Sequence, residues 1–367
     1  MVAAEGLLRG RVVIDGARIA AVEGRRVADD AWRDASEPIV APGFIDLHVH
    51  GGGGADTMQG GTAIDTIART HVRHGTTALL ATTMTAPRDE IEAALDALAP
   101  ACRKRAPGAA RVLGVHLEGP YISADKLGAQ PDFTQPPSAT EILALARRAP
   151  IRVVTLAPEL PGALEAVAAL TAAGVRVQIG HSAASYEDAC AALDRGAQGF
   201  THLFNAMSAL HHRAPGVAGA ALAHGAHAEL IPDLLHVHPG AIRAALRAIP
   251  GLYCVTDSTA AAGMPDGDYA LGRHHVRKCA GAVRLADGTL AGSTLTMDQA
   301  LRNLVFALGL PLVDAARRVS THAARYLGLA DRGAIAPGAW ADLVLLDARL
   351  GVAGVVVEGE AMPGIGG

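Results

Sequence analysis

The chain has 367 residues, a formal net charge of −4, 50% hydrophobic residues and only 3% aromatics, so its core must be packed from Ala, Val, Leu and Ile. That length holds one large domain or two smaller ones. Scattered arginines with no basic block give no electrostatic case for nucleic acid or an anionic membrane, and no apolar run is long enough to span a bilayer.

Residues 1–40 read as short strands, Arg11–Ile14 and Arg18–Val22, about a turn at Asp15-Gly16. Glu5 and Arg9 interrupt any apolar leader, so no signal peptide is expected. Cys102, Cys190, Cys254 and Cys279 lie far apart without a Cys-x-x-Cys, which argues against a disulfide framework and a structural zinc module and for the cytoplasm.

The stretch Ala41–Gly54, APGFIDLHVHGGGG, organises the rest of the chain. Phe44, Ile45, Leu47 and Val49 form a short buried strand, and alternation puts His48 and His50 on one face of it. Two imidazoles at a strand end that runs into four glycines can be hydrogen-bonded core residues, or they can grip one divalent ion.

Beyond it, strand and helix patterns alternate. Strand-like runs recur at Thr77–Ala81, Val112–Leu117, Val153–Leu156, Val175–Ile179, Gly199–Leu203, Glu229–Leu235 and Leu252–Val255. Helical stretches lie between most of them, at Ile64–Arg73, Asp89–Leu98, Thr140–Ala149, Ala163–Ala173, Tyr186–Arg195 and Pro239–Ala248, and Met297–Leu308 and Leu312–Leu327 come after. About eight alternations predict an α/β fold, a (β/α)8 TIM-like barrel of the metal-dependent hydrolase type, rather than an open sheet. Strands at Ala341–Leu346 and Val352–Glu358 predict that both termini build one small sheet. The expected division is residues 1–41 and 333–367 for this small β-sandwich or sheet domain and 42–332 for the barrel.

Polar residues fall where the strands end: His48 and His50 on the first, Glu118 on the third, His181 on the fifth, His202 on the sixth and Asp257 on the eighth. In a parallel barrel these ends open onto one mouth. Imidazole and carboxylate donors without thiolate suit Zn²⁺, with Fe²⁺, Mn²⁺ or Co²⁺ as alternatives, one or two per subunit. Such an ion acidifies water and polarises a carbonyl. Asp257 is placed to take the water's proton and return it to a leaving amine, which is hydrolysis of a C–N bond.

PGFIDLHVHGG with a terminal GAIAPGAWADLVLLD resembles the amidohydrolase superfamily. The inner motifs HLEGP (His116–Pro120), APE (Ala157–Glu159), GHS (Gly180–Ser182), THLFNAM (Thr201–Met207), LLHV (Leu234–Val237), VTDST (Val255–Thr259) and GSTLTM (Gly292–Met297) are similar to those of N-acetylglucosamine-6-phosphate deacetylases. The resemblance implies metal binding by Glu118, His181 and His202, with room for a second ion because His48 and His50 are retained. It implies Asp257 as catalytic acid/base and His236 as the substrate histidine that stabilises the oxyanion. Asn205 and Ala206 would contact the sugar phosphate through backbone amides, and Ser293 would be a further substrate contact. Arg213 matches an arginine that reaches the phosphate in a neighbouring subunit, which implies a homodimer.

Family members commonly carry Gly-x-His where this chain has Gly128-Ala129-Gln130. Gln130 keeps a donor and an acceptor for the sugar but cannot become cationic, which leaves the hexosamine epimer open. Alternatives are a deacetylase of N-acetylgalactosamine 6-phosphate, a dihydroorotase-like or aminoacylase-like hydrolase, and an inactive scaffold that has lost its metal ligands.

Overall fold

A computed structural model describes residues 1–365. Eight barrel strands are present: β1 (Phe44–Val49), β2 (Thr76–Thr82), β3 (Arg111–Glu118), β4 (Ile151–Leu156), β5 (Arg176–Ile179), β6 (Gly199–Phe200), β7 (Glu229–Leu230) and β8 (Tyr253–Cys254). The first six form one parallel sheet in sequential order, and β7 pairs with β8 in parallel. Two seams close the ring. Leu203 N–H donates to Glu229 C=O at 2.9 Å between β6 and β7, while Asp257 N–H to His48 C=O and His50 N–H to Ser258 C=O, each 2.9 Å, join β8 to β1. The expected (β/α)8 barrel is therefore the fold.

Buried on both faces, β1 and β2 carry no exposed residue, as parallel strands covered by helices should. The last three strands are shorter than the apolar runs that predict them. His202, Phe204 and Leu234 take positive φ values of 28°, 78° and 67°, which ends the extended backbone early and turns the chain across the mouth.

Helices α1 (Ala63–Val72), α2 (Arg88–Arg103), α3 (Ala139–Leu145), α4 (Ala163–Ala172), α5 (Tyr186–Asp194), α6 (Gly216–His224) and α7 (Pro239–Ala248) form the outer wall. Their starts are chemically marked. Ser185 and Asp188 make a capping box on α5, Ser138 caps α3, and Pro239 opens α7 behind the His238 cap. Helix α6 is absent from the sequence expectation, because Gly216–Ala221 is buried all round and shows no polar face to create a period. The two late helices are present, and each contains a turn of π-helix, at Asn303–Ala307 and Arg317–Thr321. The second of these brings Ser320 Oγ to donate to Gly43 C=O at 2.6 Å, at the entry to β1.

Both termini build one four-stranded sheet outside the barrel, as expected, and the N-terminal segment adds a second, three-stranded sheet. Val2–Ala3, Gly6–Asp15 and Arg18–Arg26 form a three-stranded sheet. Ile39–Pro42, Leu343–Leu346, Val352–Val357 and Glu360–Ala361 form a four-stranded one. Ile19, Ile335, Ala339, Ala341 and Leu343 pack between them as a separate small core. A further antiparallel sheet, Gly267–Leu271, His274–Cys279 and Ala282–Arg284, comes after β8, and the sequence expectation does not include it. No helix of the described residues is long and apolar enough to cross a membrane.

Candidate metal centre and active site

The four imidazoles and two carboxylates expected at the mouth do converge. Glu118, at the end of β3, lies between two groups of donors. Its Oε1 is 3.2 Å from both His181 Nε2 and His202 Nε2. Its Oε2 is 3.1 Å from His50 Nε2 and 3.4 Å from His48 Nε2. Asp257 Oδ1 completes the second group, 3.3 Å from His50 Nε2 and 3.4 Å from His48 Nε2. Glu118–His181–His202 and His48–His50–Asp257 are thus two triads of donor atoms close enough to share an ion each.

Local backbone geometry sets this convergence. Gly51 allows the chain after His50 to fold against Ala55 and Ala260, where a Cβ would lie 2.5 Å from the Ala260 nitrogen. His181, His202 and Asp257 all sit in the left-handed region, at φ 47°, 28° and 49°. Non-glycine residues held there cost on the order of 1–3 kcal/mol each, strain that surrounding structure must hold in place.

Hydrogen bonds behind the rings fix which nitrogen faces inward. His48 Nδ1 is 2.9 Å from Glu229 Oε2, and His181 Nδ1 is 2.8 Å from Lys126 C=O. Both acceptors require the proton on Nδ1, so the Nε2 lone pairs of these rings point into the centre. There they meet carboxylates and each other's neighbours, with His48 and His50 Nε2 atoms 3.1 Å apart and those of His181 and His202 3.0 Å apart. Lone pairs and anions gathered this closely require a cation, and an all-N/O donor set fits a divalent metal.

The crowding also shifts the ionisation of the groups. Burial alone would lower His50, but hydrogen bonds from its ring to the Asp257 and Glu118 carboxylates lift it to about 9. Burial would raise Asp257, and the charge of His48 with the His50 bond instead draws it down to about 2. Glu118 is likewise held well below the usual carboxylate range, its burial overcome by His48 and His181.

A cavity of about 210 Å³ opens above the donors. His236, Asn205 and Ala206 line it together with Gln130, and Leu271 of the sheet after β8 and Leu290 just beyond that sheet complete the wall. His236 Nδ1 is bound at 2.6 Å by Asp233 Oδ2, which raises its basicity against the lowering effect of burial. Phe204 and Ala206 both take positive φ, a backbone alternation of the kind that can present N–H groups to an anion, although the Phe204 N–H faces Met207 Sδ at 3.4 Å. Asn205 N–H, however, donates to His202 C=O at 3.0 Å, so within this turn the Ala206 amide is the freer donor.

Of the other expected substrate residues, Gln130 lines the cavity and Ser293 and Arg213 do not. The Gln130 amide bonds Glu118 and the Thr85 backbone. Ser293 is buried, and its hydroxyl donates to Thr256 C=O at 2.5 Å, bracing the Asp257 turn. Arg213 is exposed and is not among the residues that line its own chain's cavity. Sequence reasoning passed over Glu229, Asp233 and Asp46. Asp46 Oδ2 accepts from Thr256 Oγ1 at 2.6 Å, one residue before Asp257. The available signal was a carboxylate inside a buried strand, as at Glu229.

The model of the amidohydrolase family matches residues 39–362. An Escherichia coli O157:H7 protein named N-acetylgalactosamine-6-phosphate deacetylase is 42% identical over 336 residues, covering 89% of this chain and 88% of that one. A Lysinibacillus sphaericus N-acetylglucosamine-6-phosphate deacetylase is 40% identical, covering 86% and 84%. Among solved structures, an aspartate-to-alanine mutant of the Mycobacterium smegmatis N-acetyl-D-glucosamine-6-phosphate deacetylase, in complex with N-acetyl-D-glucosamine 6-phosphate, superposes with a TM-score of 0.88 at 36% identity over 96% of this chain and 94% of that one.

Proposed function

The chain belongs to the amidohydrolase family, and from that premise we propose that it hydrolyses the acetamide of N-acetylglucosamine 6-phosphate to acetate and glucosamine 6-phosphate. The observation that carries the proposal is Glu118 standing between two donor triads at the foot of a cavity lined by His236 and the Asn205-Ala206 turn. An enzyme needs a complete donor set, and here none of the six residues is missing, which is the opposite of a disarmed scaffold.

Glu118, His181 and His202 would hold one ion and His48, His50 and Asp257, with Glu118 shared, a second; Zn²⁺ is the first candidate and Fe²⁺, Mn²⁺ and Co²⁺ suit the same donors. Bound there, a divalent ion supplies an acidified water and a Lewis acid for the amide carbonyl. Asp257, ionised at neutral pH, accepts the proton of the attacking water and delivers it to the departing amine. His236, fixed by Asp233, donates to the developing oxyanion; loss of such a donor typically costs about 2.7–4 kcal/mol. The Ala206 amide and its turn receive the phosphate.

Arg213 supports an assembly reading. It lies exposed on the loop after the phosphate turn, beside exposed Leu210, and the proposal is that it reaches the phosphate in a second copy of the chain, making the working form a homodimer. Four free cysteines accord with a reducing cytoplasm, which belongs to the same proposal.

The C4 epimer is a second reading with its own observation. Gln130 has its carbonyl oxygen committed to Thr85 N–H, and the 42%-identical relative is named for N-acetylgalactosamine 6-phosphate. Acetate release from both sugar phosphates, before and after chelation and with each metal restored, tests the whole reading. Chelator-sensitive release from N-acetylglucosamine 6-phosphate is the expected result. Release from the galacto epimer alone would transfer the assignment, and release from neither would remove it.

A further inference from the structure

Glu229 is a fully buried carboxylate at the start of β7 that lies below the cavity and cannot touch substrate there. Its Oε2 accepts from His48 Nδ1 at 2.9 Å and from the His202 backbone N–H at 3.3 Å. Its Oε1 accepts from the Tyr253 hydroxyl at 3.4 Å. From Tyr253 a chain of buried hydrogen bonds continues through Gln178 (2.7 Å) and Thr201 (2.8 Å) to Thr155 (2.7 Å) and His116 (2.7 Å).

Barrel interiors are ordinarily filled by branched aliphatic side chains. A buried carboxylate in that place costs several kcal/mol of desolvation unless its lone pairs are satisfied. Here they are satisfied, and the strongest contact is with an imidazole whose other nitrogen faces the donor triad. Of the four imidazoles in the centre, only His48 is backed by a carboxylate. His181 uses a backbone carbonyl, and the Nδ1 atoms of His50 and His202 have no partner.

We propose that Glu229 is a positioning residue for the His48–His50–Asp257 half of the centre: it holds the proton on His48 Nδ1, fixes the ring and strengthens Nε2 as a donor. This rests on the two-ion reading of the centre. Its specific consequence is asymmetry. Loss of Glu229 weakens the His48 half, while the Glu118–His181–His202 half keeps its side-chain donors.

The test is metal stoichiometry and affinity on purified, stripped and reloaded protein, read by elemental analysis after equilibrium dialysis against Zn²⁺ or Co²⁺. Wild type should hold two ions per subunit. Glu229→Leu should hold one at wild-type affinity and bind the second about 10–100-fold more weakly, the usual effect of losing such an outer partner. Glu229→Gln, which still offers an oxygen to His48 Nδ1 but no longer a charge, should recover only part of that loss. Tyr253→Phe perturbs the same buried network without touching His48 and should keep both ions. If Glu229→Leu does not fold, a weakened second ion in Glu229→Gln against an unchanged Tyr253→Phe supports the proposal. Two ions at wild-type affinity in every folded Glu229 variant would overturn it and leave the two-ion reading intact. A wild type that never exceeds one ion would remove that reading and the proposal with it.

Discussion

The side-chain amide of Gln130 donates to Glu118 Oε2 at 2.6 Å while its carbonyl oxygen accepts from Thr85 N–H at 2.7 Å. A side chain held at both ends acts on the carboxylate it grips more than on a sugar hydroxyl. Gln130→Ala should therefore lower kcat/KM by about 10–100-fold, through Glu118, to a similar extent on the gluco and galacto substrates. Steady-state kinetics on both decide it. A selective loss on one epimer would make Gln130 a sugar contact after all.

The proposed mechanism gives both proton transfers to Asp257. Asp257→Asn keeps an oxygen that can still face His48 and His50, but it cannot accept a proton. Turnover should fall by about 10²–10⁴-fold with metal content retained. Pre-steady-state acetate measurement beside elemental analysis checks both halves of that statement, and an unchanged kcat would take Asp257 out of the mechanism.

Glu358 ties the C-terminal sheet to the barrel. It accepts two bonds from Arg111 at 2.8 Å and others from Arg332 at 2.6 Å and Arg105 at 3.2 Å. Burial would raise its pKa, but these guanidiniums draw it down to about 2 from 4.5. The folded state thus prefers the ionised form. The contribution is fully present above pH 4.5 and is lost as pH falls from 4.5 towards 2. Glu358→Gln should cost about 2 kcal/mol at pH 7, allowing for solvent screening at the cluster's rim, and much less at pH 3. Urea titrations of both proteins at the two pH values measure the closing gap.

His71 has the opposite character. Fully buried beneath the glycine run, it lies 3.0 Å from Gly51 C=O and 3.1 Å from Ser258 Oγ. Burial pushes it down to about 4 from 6.5, the Gly51 bond offsetting only part of this. The unfolded chain takes up this proton first, so stability is complete above pH 6.5 and declines as pH falls towards 4. The difference is worth roughly 3 kcal/mol. His71→Gln should be less stable at pH 7 and flatter across that interval. An equally steep decline would assign the effect to other groups.

How far the sequence carried depended on whether a residue's role followed from its own strand. His48 and His50 were legible because alternation fixes their face, and Glu118, His181, His202 and Asp257 because each ends an apolar run. Gln130, Ser293 and Glu229 act through partners 12 to 181 positions away in the chain, Glu118, Thr256 and His48, and no local period encodes such pairings. Helix α6 escaped for a different reason: its first six residues, Gly216–Ala221, are all buried and lack the polar face that would mark a period. The inserted sheet after β8, whose Leu271 lines the cavity, has short and half-exposed strands that resemble loop in sequence.

The two seams of the barrel are also where its ladder is thinnest, and the donors straddle one of them, with His48 and His50 on one lip and Asp257 on the other. On the proposed metal reading, an ion held there would act as a rivet across a joint that few backbone bonds close. Stripping it should free the joint to breathe, so that amide exchange rises first around His50, Asp257 and Ser258 while the β2–β5 ladder stays protected. On that reading, metal loading would tighten the same seam that brings His48 and His50 against Asp257.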